Sequence, residues 1–363
     1  MNRYNRHIIL SEIGQIGQDK LSNAKVLVIG AGGLGCPILQ YLAAAGIGYL
    51  GIIDDDIVTE SNLHRQVLFG TSSLGVNKAL AAKKRLSDLN DCISIEAYPK
   101  RLNHKNARAL FSQYDIIVDG TDNFETRYLV NDACILTHKP LVFGAIYKFE
   151  GQVSVFNYEN GPSYRCAFPN PPKRDAVPNC SEVGVLGVLP GIIGCMQANE
   201  VIKIILGIGN VLSENLFLYN ALTLQSQSIT IKKSSEEIEK VLQKSDIFES
   251  LQVASGCEIP IPEKPFRDVF TEKDFQIIDV RELDELPKVE DLHVLSIPLS
   301  TLNKHISQLD SEKKKAFFCQ SGIRSKKAVA ILQTHNIDEC FSIKEGASEI
   351  IELIQNPNGT KES

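Results

Sequence analysis

Short apolar runs alternate with amphipathic segments between residues 25 and 145 of the chain. The runs are rich in Val, Ile and Leu, which is typical of buried strands, and the segments between them repeat their apolar positions at helical spacing. Strands that alternate with helices lie parallel in one sheet and are joined by right-handed crossovers. The predicted strands are 26–29, 49–54, 93–98, 116–119 and 141–145, and the predicted helices are 34–45, 76–89, 106–112 and 124–137.

The pattern changes after Gly151. Residues 152–156, 216–219 and 226–231 predict strands that are not linked by alternating helices, which is typical of antiparallel pairing. Between them lie a proline-rich loop at 168–178 and an apolar segment that predicts one long helix over about 189–206.

A second and smaller alternating pattern follows a charged, proline-containing stretch. Residues 232–243 are charged and contain serine, and three prolines lie between Gly256 and Pro265. Beyond them the chain predicts strands at 276–280, 316–319 and 340–343 and helices at 300–309 and 323–335. We therefore expect an α/β protein. Residues 1–235 would form a mostly parallel sheet with an antiparallel extension, 236–264 a linker, and 265–363 a small α/β domain.

The composition is that of an ordinary globular protein with a mild negative charge. Apolar residues make up 43% of the 363 residues, charged residues 23%, and the formal net charge is −6. Such a chain lacks the basic face that duplex nucleic acid needs. The longest apolar run, 184–198, is interrupted by glycine and proline and is shorter than the ~20 residues of a membrane span. Nine cysteines without an export signal are typical of reduced thiols, so we expect a cytoplasmic protein that binds neither nucleic acid nor a membrane.

A glycine-rich loop, GAGGLG at 30–35, lies where the first predicted strand meets the first predicted helix. Gly30 permits a tight turn, and Gly35 lets helix and strand pack closely. Gly32, followed by Gly33, lets backbone N–H groups approach a phosphate. Asp54 ends the next strand, where it can accept hydrogen bonds from ribose hydroxyls. The loop predicts a Rossmann-like nucleotide site but does not distinguish NAD from ATP.

Charged side chains after the neighbouring strands separate these two nucleotides. Arg65 follows the second strand, Lys78 opens the next helix, and Asp122 follows the fourth strand as a ligand for a hard cation. Two fixed cations and a carboxylate for Mg²⁺ suit a triphosphate, whereas the pyrophosphate of a dinucleotide does not require them. The alternative is that these charges form only surface salt bridges. The candidate nucleotide-binding residues of these segments are Asn62, Arg65, Gln66, Lys78, Asp122 and Asn123.

These segments together resemble the MoeB/ThiF/HesA family, the bacterial relatives of ubiquitin-activating enzymes. The resemblance covers about residues 3–232. It implies a nucleotidyltransferase that uses ATP and Mg²⁺ to adenylate the C-terminal glycine of a ubiquitin-like sulfur-carrier protein, of MoaD or ThiS type, in molybdopterin or thiamine biosynthesis. The motifs that carry it are RYNRHI at 3–8, GAGGLG at 30–35, IIDDD at 52–56, SNLHRQ at 61–66, Gly75 with Lys78, and TDNF at 121–124.

The resemblance also implies roles for individual residues. Asp54 would bind the ribose, and Arg65, Lys78 and Arg6 would bind phosphate. Asp122 would be the magnesium ligand and the residue needed for adenylation. In family members the counterpart of Arg6 reaches across from the partner subunit, which implies a homodimer.

Two cysteine positions bear on sulfur and metal chemistry. Cys180 lies on a predicted loop ahead of the long helix, where a thiol could attack an acyl-adenylate or form a disulfide with the carrier. The alternative is an exposed thiol without a role. Relatives bind zinc with two Cys-x-x-Cys pairs, but here Ser163 to Cys166 keeps only one cysteine of the first pair, and Lys232 and its neighbours replace the second. One thiolate cannot make a tetrahedral site, so we expect no zinc.

The segment AFFCQSGIRS at 316–325 predicts strand, loop and helix, with Cys319 at the start of the loop. The N–H groups of such a loop stabilise a thiolate or persulfide anion, and Arg324 adds a positive charge. Four residues separate the two, which is the spacing of a rhodanese and not of a cysteine-dependent phosphatase. IIDVRE at 277–282 and Ile-Pro-Leu at 297–299 also resemble rhodanese motifs, and the resemblance covers about residues 265–355. The alternative is a docking module that has lost the activity.

The whole chain is therefore predicted to be an activating enzyme fused to a sulfurtransferase. A persulfide donor such as a cysteine desulfurase would charge Cys319, which would supply sulfur for a thiocarboxylate on the adenylated carrier. Two alternatives stay open, an NAD-dependent oxidoreductase and a non-catalytic adaptor that binds the carrier. The predicted catalytic residues are Arg6, Asp122, Cys180, Cys319 and Arg324.

Overall fold

The computed structural model of the chain describes residues 3–172, 184–251, 261–272, 274–289, 294–320, 322–335 and 337–355. The chain folds into two units, Met1–Val253 and Ala254–Ser363, each with its own sheet.

An eight-stranded sheet runs through the first unit. Its strands are β1 (Lys25–Ile29), β2 (Tyr49–Ile53), β3 (Ser94–Tyr98), β4 (Ile116–Asp119), β5 (Leu141–Tyr147), β6 (Glu150–Phe156), β7 (Asn215–Asn220) and β8 (Ser226–Thr230). Their order is β3-β2-β1-β4-β5-β6-β7-β8. The first five strands pair in parallel, and β6, β7 and β8 extend the sheet by antiparallel pairing. The predicted parallel sheet with an antiparallel extension is confirmed.

Helices cover both faces of this sheet. They are α1 (Asn5–Ile8), α2 (Gly14–Asn23), α3 (Gly35–Ala45), α4 (Lys78–Leu89), α5 (His104–Phe111), α6 (Phe124–Thr137), α7 (Tyr164–Ala167), α8 (Leu189–Leu206) and α9 (Ser235–Leu242). Successive strand residues point to opposite faces. Val28 and Val118 pack with α3, α4 and α8, whereas Leu27 and Ile117 pack with α5 and α6. Burial on both faces explains why the central strands are continuously apolar.

α8 is the central helix of the fold. By length and composition alone it could cross a membrane, but half of it is buried, and it packs against α3, β5 and β6. Pro190 lies in its first turn, where backbone N–H groups have no partner within the helix, so the N–H that proline lacks is not needed. Gly207 ends the helix with a φ of 71°. Its bounds agree with the predicted helix.

Part of the predicted linker belongs to the first unit. α9 packs against α6 and α7, and a 3₁₀ helix, Ser245–Ser250, packs against α5. Val241 and Phe248 are buried there. The remaining side chains of α9 are largely charged. This composition led to the prediction of a solvated linker, whereas the segment forms an amphipathic helix.

The second unit contains a five-stranded sheet in which all neighbouring strands are parallel. Its elements are β9 (Glu263–Lys264), α10 (Phe266–Thr271), β10 (Phe275–Asp279), β11 (Val294–Ser296), α11 (Leu302–His305), β12 (Lys314–Phe318), α12 (Ile323–Thr334), β13 (Cys340–Ile343) and α13 (Ala347–Gln355). The strand order is β11-β10-β12-β13-β9. The prediction of one helix over 300–309 is wrong, because α11 lies between two 3₁₀ turns. Leu302 and Leu309 are the buried residues of that stretch, too few to hold a longer helix against the core.

Candidate active site

The carboxyl ends of β1, β2 and β4 meet at one crevice of the first unit. After β1 the chain builds β2 and β3 on one side, and it then returns to place β4 on the other. The N–H of Gly30 donates to the carbonyl of Ile53 (2.9 Å), and the N–H of Gly120 donates to that of Ile29 (2.8 Å). Such a reversal of strand order opens a crevice where open α/β sheets bind ligands.

The glycine loop fills the base of this crevice. Gly30 has a φ of 87°, a left-handed conformation that a side chain disfavours. A Cβ at Gly35 would lie 2.0 Å from the carbonyl oxygen of Gly30, so only glycine fits there. The tight turn and the close helix–strand approach that the sequence predicts are both present.

Asp54 lies beside the loop. Its Oδ2 accepts a hydrogen bond from the N–H of Ala31 (2.7 Å), and its Oδ1 accepts one from the N–H of Asp56 (2.9 Å). Burial raises the pKa of Asp54, and the two N–H donors act against that rise. Each carboxylate oxygen has a further lone pair, so Asp54 can still accept a hydroxyl hydrogen.

Arg65 and Gln66 flank the loop glycines. A Cβ at Gly33 would lie 3.9 Å from Cδ of Arg65, and one at Gly32 would lie 3.7 Å from Nε2 of Gln66. Gln66 is buried, and its Oε1 has no hydrogen-bond partner within the described residues. The carbonyl of Asn62 accepts the N–H groups of both residues and so holds the turn that carries them.

Lys78 reaches the same crevice edge as part of an ion pair. Its Nζ lies 2.8 Å from Oδ2 of Asp56, and its side chain is only 7% exposed. Asn77 caps α4 and also donates to the carbonyl of Asp54 (3.0 Å), which ties the helix to the end of β2. Sequence reasoning missed Asp56, because three consecutive aspartates give no signal of which one meets the lysine.

Asp122 is exposed on a turn that the structure holds firmly. Oδ1 of Asp119 accepts the N–H (2.9 Å) and the hydroxyl (2.6 Å) of Thr121. Asn123 caps α6 by accepting the N–H of Thr126, and Nη2 of Arg127 donates to the carbonyl of Thr121 (3.3 Å). Asn123 was expected to bind nucleotide, and here its side-chain oxygen is engaged as a helix cap.

Asp119 and Arg127 are both buried beside this turn, and sequence reasoning missed both. Asp119 is fully buried, and Oδ2 of Asp119 and Nε of Arg127 have no hydrogen-bond partner within the described residues. Burial raises the pKa of Asp119, whereas the charge of Arg127 lowers it. The signal available in the sequence was an aspartate that ends an apolar strand.

Arg6 lies at the other end of α3 from the glycine loop. A Cβ at Gly46, just after α3, would lie 2.6 Å from the ring of Tyr4, and the Tyr4 hydroxyl accepts a hydrogen bond from Asn90 (2.8 Å). The 11 residues of α3 span roughly 16 Å at 1.5 Å per residue. The fold therefore does not bring Arg6 to the glycine loop of its own chain.

Cys166 is the one cysteine that remains of the first expected Cys-x-x-Cys pair. Its Sγ accepts the N–H groups of Ser163 and Ser234, each at 3.3 Å. The fold thus joins the two segments that were predicted to have lost their Cys-x-x-Cys pairs. Within the described ranges, no group of three or more His, Cys, Asp or Glu is arranged to hold a metal. Cys180 lies outside the described residues.

In the second unit, Cys319 follows β12 at the centre of the sheet, and α12 begins at Ile323. The thiol is buried, at 1% exposure, and its Sγ lies 3.8 Å from the hydroxyl of Ser325. Gly322 precedes α12 with a φ of 80°. The predicted strand, loop and helix are therefore present, although Ser321 of the loop lies outside the described residues.

Arg324, which was expected to add a positive charge beside this thiol, is paired with a carboxylate. It forms a two-pronged ion pair with Glu285, in which Nη2 lies 2.7 Å from Oε2 and Nη1 contacts Oε1. The sequence could not reveal this, because the partner lies 39 residues away on another loop.

Comparison with known proteins gives concordant matches to both units. Residues 4–240 match the ThiF family. A sulfur carrier protein adenylyltransferase of Thermus thermophilus is 52% identical over 239 residues, which cover 64% of this chain and 88% of that protein. An adenylyltransferase and sulfurtransferase of Danio rerio is 40% identical over 366 residues, which cover 91% and 80%. The crystal structure of E. coli MccB with ATP matches 64% of this chain and 72% of that chain, with a TM-score of 0.57 and 25% identity.

Proposed function

The chain belongs to the ThiF family, and from that premise we propose that it adenylates the C-terminal glycine of a ubiquitin-like sulfur-carrier protein with ATP and transfers sulfur to it. The observation that carries the proposal is the meeting of the glycine loop with Asp54, Arg65 and Lys78 at the reversal of strand order. The names of relatives that span both units support the pairing of adenylyltransferase with sulfurtransferase.

The adenylation step needs positioning and positive charge more than a base. A glycine carboxylate oxygen attacks the α-phosphorus of ATP, a new O–P bond forms, and pyrophosphate leaves with the electrons of the bond that breaks. The loop N–H groups and Arg65 would hold phosphate oxygens, and Lys78 would exchange Asp56 for phosphate when the nucleotide enters. Asp54 would orient the ribose. Fixed cations stabilise the charge that spreads over the phosphoryl oxygens.

Asp122 fits the role of a magnesium ligand. Its carboxylate is exposed and makes no hydrogen bond within the described residues, so both oxygens are available to a hard cation. The ion would neutralise charge on the nucleotide phosphates. The clamp of Asp119 and Arg127 on the turn would hold Asp122 in place.

The sulfur step would use Cys319. The outer sulfur of a Cys319 persulfide attacks the acyl carbon of the adenylated carrier, and AMP leaves with the electrons of the acyl–oxygen bond. A second thiol then attacks the Cys319 sulfur, which releases the thiocarboxylate and leaves a disulfide with Cys319 that a cellular thiol reductant reduces. We propose Cys180 as this second thiol. A cysteine desulfurase is the kind of donor that would recharge Cys319.

The assembly we propose is a cytoplasmic homodimer. The position of Arg6 at the far end of α3 supports it, since this residue could then serve the nucleotide of the partner subunit. A carrier of MoaD type would place the protein in molybdopterin biosynthesis, and one of ThiS type in thiamine biosynthesis.

The proposal is tested by ATP–pyrophosphate exchange with each candidate carrier of the source organism. We expect exchange only with a carrier that ends in glycine, because the carboxylate is the nucleophile. A carrier that lacks its last glycine is the matched control. Exchange that ignores the carrier would contradict the proposal, and reduction of NAD without carrier would favour the oxidoreductase alternative.

We also propose that the first unit folds without zinc. The hydrogen bonds from Ser163 and Ser234 to Cys166 already hold together the segments that a metal would join. Elemental analysis of the purified protein should find far less than one zinc per chain, and a chelator should leave its thermal unfolding unchanged. One tightly held equivalent of metal would contradict this.

A further inference from the structure

The ion pair between Arg324 and Glu285 sets the charge beside the thiol of the second unit. The two side chains are 23% and 31% exposed. Glu285 Oε1 also accepts the N–H of Glu282 (2.9 Å), which fixes the carboxylate in place. The pairing lowers the pKa of Glu285 and raises that of Arg324, and a charge on Cys319 raises the Arg324 pKa further. Arg324 is next to Ser325, whose hydroxyl lies 3.8 Å from Sγ of Cys319, so it stands close to the sulfur but is already neutralised.

The other arginine near this loop is neutralised as well. Nε and Nη2 of Arg281 donate to the carboxylate of Asp279 at 2.7–3.1 Å, and Nη1 donates to the carbonyl of Pro287 (2.9 Å). Both are buried. Each of the two arginines is thus paired with a carboxylate.

Three side chains within two residues of the Arg324–Glu285 pair are exposed and apolar. Leu283, Leu286 and Ile323 are 65%, 77% and 45% exposed. Apolar side chains offer no attraction to a strongly hydrated small anion, whereas they are suited to contact with a protein surface.

We propose that Glu285 determines the sulfur donor. By pairing with Arg324 it cancels the charge that would attract a small dianionic donor such as thiosulfate, and it thereby favours sulfur presented as a persulfide on a protein. This inference rests on the proposed sulfur transfer by Cys319.

Thiosulfate makes the charge effect measurable. The Cys319 thiolate attacks the outer sulfur, a new sulfur–sulfur bond forms, and sulfite leaves with the electron pair of the bond that breaks. The enzyme keeps a persulfide anion, and no oxidant or reductant is consumed. Because a dianion approaches a thiolate, each nearby unpaired positive charge assists the encounter.

The test compares two reagents on the same thiol. Thiosulfate is a dianion, whereas dithiodipyridine is a neutral disulfide that reports only the reactivity of the thiolate. The rate constant of each is followed on the Cys319 peptide by mass spectrometry, and their ratio cancels any change in the pKa of the thiol. In Glu285→Gln we expect the ratio of thiosulfate to dithiodipyridine to rise about tenfold at low salt. The rise should shrink as salt screens the freed arginine.

Two variants complete the experiment. Glu285→Asp keeps the negative charge and should keep the low ratio. Glu263→Gln is the matched control, because Glu263 pairs with Lys326 (2.9 Å) on the same helix as Arg324 and should leave the ratio unchanged. If Glu285→Gln folds poorly, Glu285→Ser removes the same charge and should raise the ratio in the same way.

Two results would overturn the inference, and they differ. An unchanged ratio in Glu285→Gln, or an equal rise in Glu263→Gln, would show that the ion pair does not select the donor. A Cys319 that reacts with dithiodipyridine but takes up sulfur neither from thiosulfate nor from a persulfide on a protein, in any variant, would contradict the proposed sulfur transfer itself, and the inference with it.

Discussion

Replacing Asp122 by alanine is expected to slow carrier-dependent ATP–pyrophosphate exchange by about 1,000-fold. The carboxylate is exposed and holds no other described group, so its loss removes the anchor of the cation and not a part of the core. The helix that follows keeps its cap, because Asn123 supplies it. Thermal unfolding should therefore match that of the unaltered protein.

Glu125→Ala is the matched control for this variant. Glu125 is an exposed acid in the first turn of the same helix, and its removal should leave exchange close to that of the unaltered protein. Exchange at a normal rate in Asp122→Ala, or an equal loss in both variants, would refute the role of Asp122.

Replacing Cys319 by alanine should leave adenylation intact and abolish thiocarboxylate formation from a protein-bound persulfide. Alanine offers no nucleophile, and the two units have separate sheets and cores. The carrier is analysed by mass spectrometry after reaction, which distinguishes its carboxylate from its thiocarboxylate. Free sulfide must be excluded, because it could attack the acyl-adenylate and bypass the thiol.

Cys92→Ala is the control for the loss of a thiol, since Cys92 is exposed in the first unit and should be dispensable. Cys180→Ala separates two routes. It keeps its activity if the Cys319 persulfide needs no second enzyme thiol, and it stops with the carrier joined to Cys319 through an acyl disulfide if Cys180 releases the product. Full thiocarboxylate synthesis by Cys319→Ala would show that the second unit is not the sulfur relay.

The helices and strands of the first unit could be predicted from local patterns in the sequence. The predicted helices at 124–137 and 189–206 have the observed bounds, because each begins and ends at a local signal such as the cap Asn123 or the terminal Gly207. The glycine loop was recognised because its conformation depends on residues next to one another. Short or strongly charged helices, such as α2 and α9, were missed because their apolar stripes are narrow.

The pairing of charged side chains could not be predicted from local patterns in the sequence. Lys78 was expected to bind phosphate, with a salt bridge as the alternative, and Arg324 was expected to add positive charge beside the thiol. The structure pairs them with Asp56 and Glu285. Each partner lies on a different element, so the contact exists only after the sheet has assembled. A sequence shows which charged residues are present, whereas the fold determines which of them are paired. A ligand that binds a paired residue must displace its partner.

The placement of α1 at the far end of α3 would make subunit concentration part of the chemistry of the proposed homodimer. If Arg6 completes the site of a partner, each chain is the host of one reaction centre and a donor to another. The fraction of complete centres then follows mass action, so specific activity would fall on dilution while every chain stayed folded. In that case the flux of sulfur would rise more than in direct proportion to the amount of protein.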